Sequence, residues 1–439
     1  MQKLKESVML QFCHITFSLF YPLRYSIVLF FITAGTSNGQ INISGKVLNK
    51  QDSTPIADAH VFFSTGLLGT STNDQGRFVL PRVSLNSKIQ ISCIGFDVKT
   101  VDIMTADEVI ILMNPSARLL EEVVINLRQD SAKAILKRAA NNIKSNYHAE
   151  IQLNTFFREL LIQDTVGQRL VEAFINIWDP GIKKPPIRMK MQVRELRKSD
   201  DLTARNLADW LLSKVVKEYN QVAYLLEWDI IRHYFYPSTK TYVDYFQLQS
   251  IFDEIDDIEY RIEEILSSKE QKIYKIRVQR ELPSAILSTS YFINASDYAI
   301  LKIEFQQCFH NARATQLWGG CQLKGVYEYK LTDGRYHLSY ASLRRGVLPS
   351  FSALGTGKKG DRSVYYQLLV TGIDLKPKKI PDKHAVDVEG DLIGFKCRYN
   401  FLFWKSTAIP LLDKNYQLAL KGLSTKISLD EQFERNGRD

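Results

Sequence analysis

Groups able to do chemistry are present in this chain, but their spacing assembles no reaction. The histidines are His14, His60, His148, His233, His310, His337 and His384. None falls in H-E-x-x-H or H-x-x-E, the spacing by which a helix or turn brings two ligands to zinc, so no catalytic zinc domain is expected. Gly35-Thr36-Ser37-Asn38-Gly39 matches the nucleophile-elbow pattern G-x-S-x-G. That pattern works where a sheet strand feeds a sharp turn into a helix, and no such strand precedes it. Gly355-Thr356-Gly357-Lys358-Lys359-Gly360 has glycines and lysines like a phosphate loop. It lacks the required spacing and hydroxyl residue, and reads as a flexible loop.

Carboxylates gather at Glu254, Asp256, Asp257, Glu259, Glu263 and Glu264. Acid/base work needs two of them facing each other about 5–9 Å apart in a cleft, which adjacency in sequence does not supply. A solvated face near a turn is the expectation. Asp201 and Asp257 read as residues that cap or end elements. His233-Tyr234-Phe235-Tyr236 is expected at a domain interface, because Tyr and His suit one wet and one dry side. Trp178, Trp210, Trp228, Trp318 and Trp404 are expected in the core or at interfaces rather than on a sugar-binding platform. No catalytic, cofactor-binding or metal-ligating residue is assigned, and no cofactor is expected.

The N-terminus carries a different kind of signal. Lys3, Lys5 and Arg24 precede an apolar run, Ile27 to Ile32, and Ser37 and Gly39 then supply small residues before Gln40. This is the layout of a secretory signal peptide over residues 1–39. An uncleaved anchor is the alternative, although spanning needs about 20 apolar residues and this run is shorter. The formal charge of +9 falls by two when Lys3, Lys5, Arg24 and Glu6 leave. The remaining basic residues are dispersed among acidic ones, so nucleic-acid binding is not indicated. Export permits disulfides between Cys93, Cys308, Cys321 and Cys397, and no C-x-x-C occurs. Cys308 and Cys321 lie on strands joined by a short connection. A disulfide there and a pair of buried thiols remain equal alternatives.

The elements that follow are mostly strands. Strands are expected at Ile41–Leu48, Ala59–Phe63, Gly69–Thr72, Phe78–Leu80, Ile89–Ile94 and Glu108–Met113, separated by turn residues. Short strands at this spacing predict a small β-sandwich over residues 40–113 whose core uses Val47, Val61, Phe78, Leu80, Ile91 and Ile94. Asp74 is placed to accept from amides two residues on, Gly76 to take a positive φ, and Gly95 to allow a bend. Cys93, beside Ile91 and Ile94, reads as a packing or surface residue.

Several phrases in order carry a resemblance: Gly45-Lys46-Val47, Thr54-Pro55-Ile56, Ala59-His60-Val61, Gly69 to Phe78, and Ile91-Ser92-Cys93-Ile94-Gly95-Phe96. They resemble the carboxypeptidase-regulatory-like domain, in the variant at the front of Bacteroidetes outer-membrane and periplasmic proteins. The resemblance implies a transthyretin-like or prealbumin-like sandwich, and Leu119 to Ile125 is similar to that family's exit strand. It implies fold far more than function, since one fold hosts many roles.

Residues 114–147 read as a linker and an amphipathic helix capped by Asp130 or Ser131, with Ala132, Ile135, Leu136, Ala139 and Ile143 on one face. Residues 148–439 read as a β-rich α+β domain with a second helix at Leu202–Glu218. Its strands are expected at Leu153–Leu161, Ile187–Val193, Tyr260–Ile265, Gln271–Val278, Tyr291–Ile293, Ala299–Phe305, Leu323–Tyr329 and Tyr336–Tyr340. Val364–Val370 and Ile393–Phe403 add further strands, and Gly334 supplies a turn. The alternation fits a wide antiparallel sheet with one solvated face. The fold class is mainly β, with an α+β second domain. The functional expectation is a non-enzymatic, exported envelope protein, periplasmic or outer-membrane-associated, that binds or scaffolds a protein partner. A hydrolase acting on peptide or glycan and a polysaccharide-binding protein are the alternatives.

Overall fold

The computed structural model describes residues 41–63, 69–84, 86–105, 107–118, 129–202, 221–235, 257–267, 271–310, 321–347, 362–382, 385–386 and 392–438. The signal-peptide reading at 1–39, the Gly355–Gly360 loop, Trp210, Trp318 and most of the helix at Leu202–Glu218 lie outside the described residues.

The first seven strands are β1 (Ile41–Asn49), β2 (His60–Phe63), β3 (Gly69–Ser71), β4 (Arg77–Val83), β5 (Lys88–Ser92), β6 (Lys99–Asp102) and β7 (Val109–Met113). They form two sheets, ordered β4-β1-β7 and β3-β2-β5-β6, so the N-terminal unit is a β-sandwich. Alternate residues of each strand point to opposite faces, and Val47, Val61, Phe78, Leu80 and Ile91 meet in its core. Ile94 instead packs partly buried against the larger core beyond. The turn before β4 differs in one residue from the expectation. Asn73 Oδ1 accepts from the Gln75 and Arg77 amides at 3.1 and 3.0 Å, and the Asp74 side chain points elsewhere. Gly76 takes φ +70°, and a Cβ there would stand 2.4 Å from the Val47 carbonyl oxygen.

The described residues of the rest of the chain build one sheet of eleven strands. These are β8 (Ala117–Arg118), β9 (Ile151–Gln163), β10 (Val166–Asp179), β11 (Lys190–Lys198), β12 (Ile258–Ser267), β13 (Lys272–Leu282), β14 (Ala285–Asn294), β15 (Ile300–Phe309), β16 (Cys321–Thr332), β17 (Arg335–Val347) and β18 (Arg362–Asp374). The order is β11-β10-β9-β18-β17-β16-β15-β14-β13-β12-β8, and it does not close. Every pairing within it is antiparallel. Among the described residues, six helices accompany the sheet: α1 (Gln129–Asn146), α2 (Gln221–Glu227), α3 (Ile230–His233), α4 (Phe401–Ser406), α5 (Lys414–Leu423) and α6 (Leu429–Asn436).

Helices α1, α2 and α3 cover one face of the sheet. Ala132, Leu136, Ala139 and Ile143 of α1 enter the same core as Phe157, Ile175, Tyr327 and Leu368. The helix expected as a linking element is thus part of the large core, and it begins at Gln129, before either expected cap. The opposite face is not solvated as expected. The sandwich and helices α5 and α6 lie on it, and Leu160, Ile162, Leu170 and Tyr365 are buried with Leu412, Ala419, Leu423 and Phe433. The strand expected at Ile393–Phe403 is also corrected. Residues 392–400 have no regular structure, and α4 starts at Phe401, where Asn400 caps the Phe403 amide. A polar N-cap here outweighs the β preference of the aromatic residues. Residues 186–188 form a short 3-10 turn at Pro185-Pro186, which shifts the start of β11 to Lys190. No helix of the described residues is long and apolar enough to cross a membrane.

Candidate functional site

The sandwich meets the outer face of the large sheet through charges that sequence order keeps far apart. Glu328 on β16 is buried, and its carboxylate contacts His60 Nε2 of the sandwich at 2.7 Å and Lys302 Nζ of β15 at 2.9 Å. Burial alone raises the Glu328 carboxyl, but Lys302 and the His60 hydrogen bond outweigh it and hold it at about 2. Two positions along β16, the Lys330 ammonium lies 3.7 Å from the centre of the Phe62 ring, a cation–π contact across the same junction.

The C-terminal segment completes the junction. Asn73 Nδ2 donates to the Leu412 carbonyl at 3.1 Å. The Asp74 amide donates to Asp413 Oδ1 at 2.9 Å, while the Lys414 amide donates to the Asp74 carboxylate at 3.2 Å. Asp74 therefore sits at the positive end of α5, where a carboxylate is favoured. Below, Arg158 is fully buried and fully engaged. It donates to Glu172 at 2.6 Å, to Gln367 at 2.8 Å and to the Pro410 carbonyl at 3.0 Å. Arg197 holds the other Glu172 oxygen at 2.6 Å. These bonds fix where residues 410–413 cross the sheet.

Between sandwich, sheet and α5 lies a cleft of about 540 Å³. Asp58, Asp74, Asp164 and Asp413 supply acids, Lys324 and Arg344 bases, and Tyr340, Tyr365 and Tyr416 aromatic surface. Tyr365 and Tyr416 stack with ring centres 4.3 Å apart, joining β18 to α5. Two cleft carboxyls, Asp58 and Asp413, are perturbed. Burial pushes Asp58 up to about 6, against Lys302 and with help from the like charges of Glu328 and Asp413. Burial also raises Asp413, opposed by the Asp74 amide, and raises the Tyr340 and Tyr365 hydroxyls.

A smaller cavity, about 220 Å³, opens on the other side of the junction beside His60, Thr70, Lys330 and His337. Burial lowers His337 to about 4, so its ring is neutral at neutral pH. Thr70 Oγ1 is buried there with no hydrogen-bond partner among the described residues. Cys93 is half-buried, and burial pushes its thiol up to about 12. A thiol held protonated is a poor nucleophile and metal ligand.

Asp74 lines the cleft, whereas the carboxylate cluster, the aromatic cluster and the tryptophans singled out in the sequence do not. Glu263 and Glu264 pair with Lys275 and Arg277 across β12 and β13, while Asp257 and Glu259 are exposed. Glu254, Asp256, Tyr236, His14 and His384 lie outside the described residues. His233 is buried against the Glu227 carbonyl, and Tyr234 and Phe235 pack on the large core. Trp228 and Trp404 are buried, and Trp178 donates to Glu150 at 2.8 Å. Asp201 pairs with Arg169 at 3.2 Å. Cys308 and Cys321 form a disulfide between β15 and β16. Among the described residues, no three His, Cys, Asp or Glu side chains gather as metal ligands. Sequence reasoning missed Asp58, Lys302, Lys324, Glu328, Arg344 and Asp413. The available signal was alternation: Lys302 and Glu304 on β15, and Lys324, Glu328 and Lys330 on β16, share one face of strands whose other face is mostly apolar.

Residues 43–125 form a CarboxypepD_reg-like domain. The regulatory-like domain accounts for the sandwich and ends before α1. Comparison with curated proteins gives no match. Among solved structures, the chain is similar to a LolA superfamily protein from Nitrosomonas europaea, with 15% identity over 57% of this chain and 96% of that one and a TM-score of 0.22. It is also similar to a DUF1329 family protein from Desulfovibrio piger, with 8% identity over 57% and 95% and a TM-score of 0.19. Overlaps this loose carry no functional argument.

Proposed function

We propose that this is a non-catalytic, exported binding or scaffolding protein of the cell envelope, and that a segment of a partner protein enters the cleft beside the regulatory-like domain. The observation that carries the reading is the cleft itself. Its walls come from three separate parts of the chain, and its lining mixes tyrosines with charges of both signs. Such a lining suits a peptide, with aromatic bodies for contact area and polar groups for register. Two of its carboxylates, Asp74 and Asp413, take hydrogen bonds from backbone amides and so serve the architecture. The regulatory-like domain acts as a positioning module: it forms one wall and is held by Glu328, Lys330 and Leu412. Its edge strand β7 is a poor template for strand addition, because Lys99 Nζ already donates to the Leu112 carbonyl at 2.7 Å. The Cys308–Cys321 disulfide supports an oxidising compartment, in keeping with export to the periplasm or the outer membrane.

Removing the whole regulatory-like domain would take His60 from Glu328 and uncover the Lys302–Glu328 pair, so a point change is the better test. Asn415 is exposed and lines the cleft. Residues 40–439 and the same chain carrying Asn415→Trp are used to capture proteins from the cell envelope. Loss of one specific protein with Asn415→Trp supports the reading, and identical captures refute it.

A further inference from the structure

The segment from Leu392 to Leu412 holds three basic residues, Lys396, Arg398 and Lys405, and no acidic one. Phe395, Tyr399, Phe401, Phe403 and Trp404 are interleaved with them. The segment is fastened to β11. Lys198 Nζ donates to the Ile393 and Phe395 carbonyls at 2.6 and 3.0 Å, and Asn400 Nδ2 donates to Glu195 at 3.3 Å. Asn400 Oδ1 accepts from the Phe403 amide at 3.1 Å and so starts α4. One side of α4 is anchored: Trp404 is buried, with the Arg197 guanidinium 4.3 Å from its ring centre and Phe174 at 5.4 Å.

The other side is bare. Phe401 is 44% exposed and Leu402 74% exposed, two consecutive large apolar residues on a held turn. Lys396, Arg398 and Lys405 are all exposed around them, and Lys405 Nζ lies 5.6 Å from the Phe401 ring centre. The carboxylates beside the segment are Glu195, engaged by Asn400, and Asp430 and Glu434 of α6, which act on Tyr399. Apolar side chains that enter the headgroup boundary, ringed by cations that meet anionic headgroups, are the recipe for interfacial binding.

We propose that Phe401 and Leu402, with Lys396, Arg398 and Lys405, dock this protein onto an anionic lipid surface. The cations draw the protein in, and the two apolar side chains insert. Charge complementarity favours lipid over a protein groove, because no carboxylate within the segment opposes a negatively charged surface. The inference deepens the envelope reading but does not depend on the cleft. Its test uses purified protein and vesicles alone, so its failure leaves the partner reading where it stood.

Residues 40–439 are sedimented with phosphatidylcholine vesicles, with and without phosphatidylglycerol. Binding only to the phosphatidylglycerol vesicles, weakened by added salt, is the expected result. Phe401→Ser with Leu402→Ser should lower the affinity about tenfold or more, as should Lys396→Glu with Lys405→Glu. All four side chains are exposed, and an unchanged circular dichroism spectrum confirms that each variant is folded. No binding to phosphatidylglycerol vesicles, equal binding to both vesicle types, or unchanged binding by the Phe401/Leu402 variant would each overturn the proposal.

Discussion

Replacing Asp58 by Asn should stabilise the protein at alkaline pH and do little in acid. The Asp58 carboxyl stands at about 6 in the fold against its ordinary 3.8, with burial the leading cause. A raised carboxyl pKa means that the folded chain binds the proton more tightly than the unfolded chain. Stability therefore rises as pH falls from above 6 towards 3.8, and ionised Asp58 weakens the fold above 6. Roughly two pH units at about 1.4 kcal/mol each set a ceiling near 3 kcal/mol. Asp58 is only half-buried and lines an open cleft, so screening reduces the expected gain to about 1–2 kcal/mol. The backbone does not object: φ at 58 is +55°, which Asn adopts readily, and the Asp58 amide keeps its 3.0 Å bond to the Thr72 carbonyl. Urea unfolding of both chains between pH 4 and 8 isolates the effect, because other titrating groups cancel in the difference. Equal stability at all pH values, or a less stable variant at pH 8, would refute the burial argument.

Glu328→Ala should destabilise by roughly 3 kcal/mol, since it strips Lys302 and His60 of a buried partner; a denaturation midpoint like that of the parent would contradict it. With its pKa depressed to about 2, the Glu328 contribution is present above the unfolded carboxyl value and fades as pH falls from about 4.5 towards 2. Cys308→Ala with Cys321→Ala should cost about 2–3 kcal/mol, the value for a short closed loop. Alkylation of unreduced, denatured residues 40–439 should modify Cys93 and Cys397 alone. Gly181→Ala should cost more than about 3 kcal/mol or abolish folding, because φ is +107° and the new Cβ would fall 1.5 Å from the Ala149 carbonyl oxygen; a soluble variant with an unchanged melting temperature would refute that.

The parts of the fold legible in the sequence are those set by local pattern. Turn residues and short apolar runs gave six of the sandwich strands, and the 3.6-residue period gave the buried face of α1. Gly76 and Gly334, at φ +70° and +76°, take the conformations that their turns require. What alternation could not show is how far a face is covered. Glu328 and Lys302 look like members of a solvated face, yet the sandwich lies on them, and nothing local encodes that a segment 268 residues away supplies His60. The same reason hid the cleft, whose lining runs from Asp58 to Ala419. At Ile393–Phe403 the aromatic residues suggested a strand, but Asn400 at an N-cap and the Lys198 bonds to two carbonyls set a loop and a helix instead.

The claim that the cleft receives a partner protein is tested most directly by site-specific photo-cross-linking inside cells. A photoreactive phenylalanine analogue replaces Asn415 at the cleft, and in a second strain it replaces Ala134, which is exposed on α1 across the sheet. One dominant cross-linked envelope protein is expected from position 415, abolished by Tyr365→Ala and absent from position 134. No protein adduct at 415, or the same adduct from both positions, would contradict it.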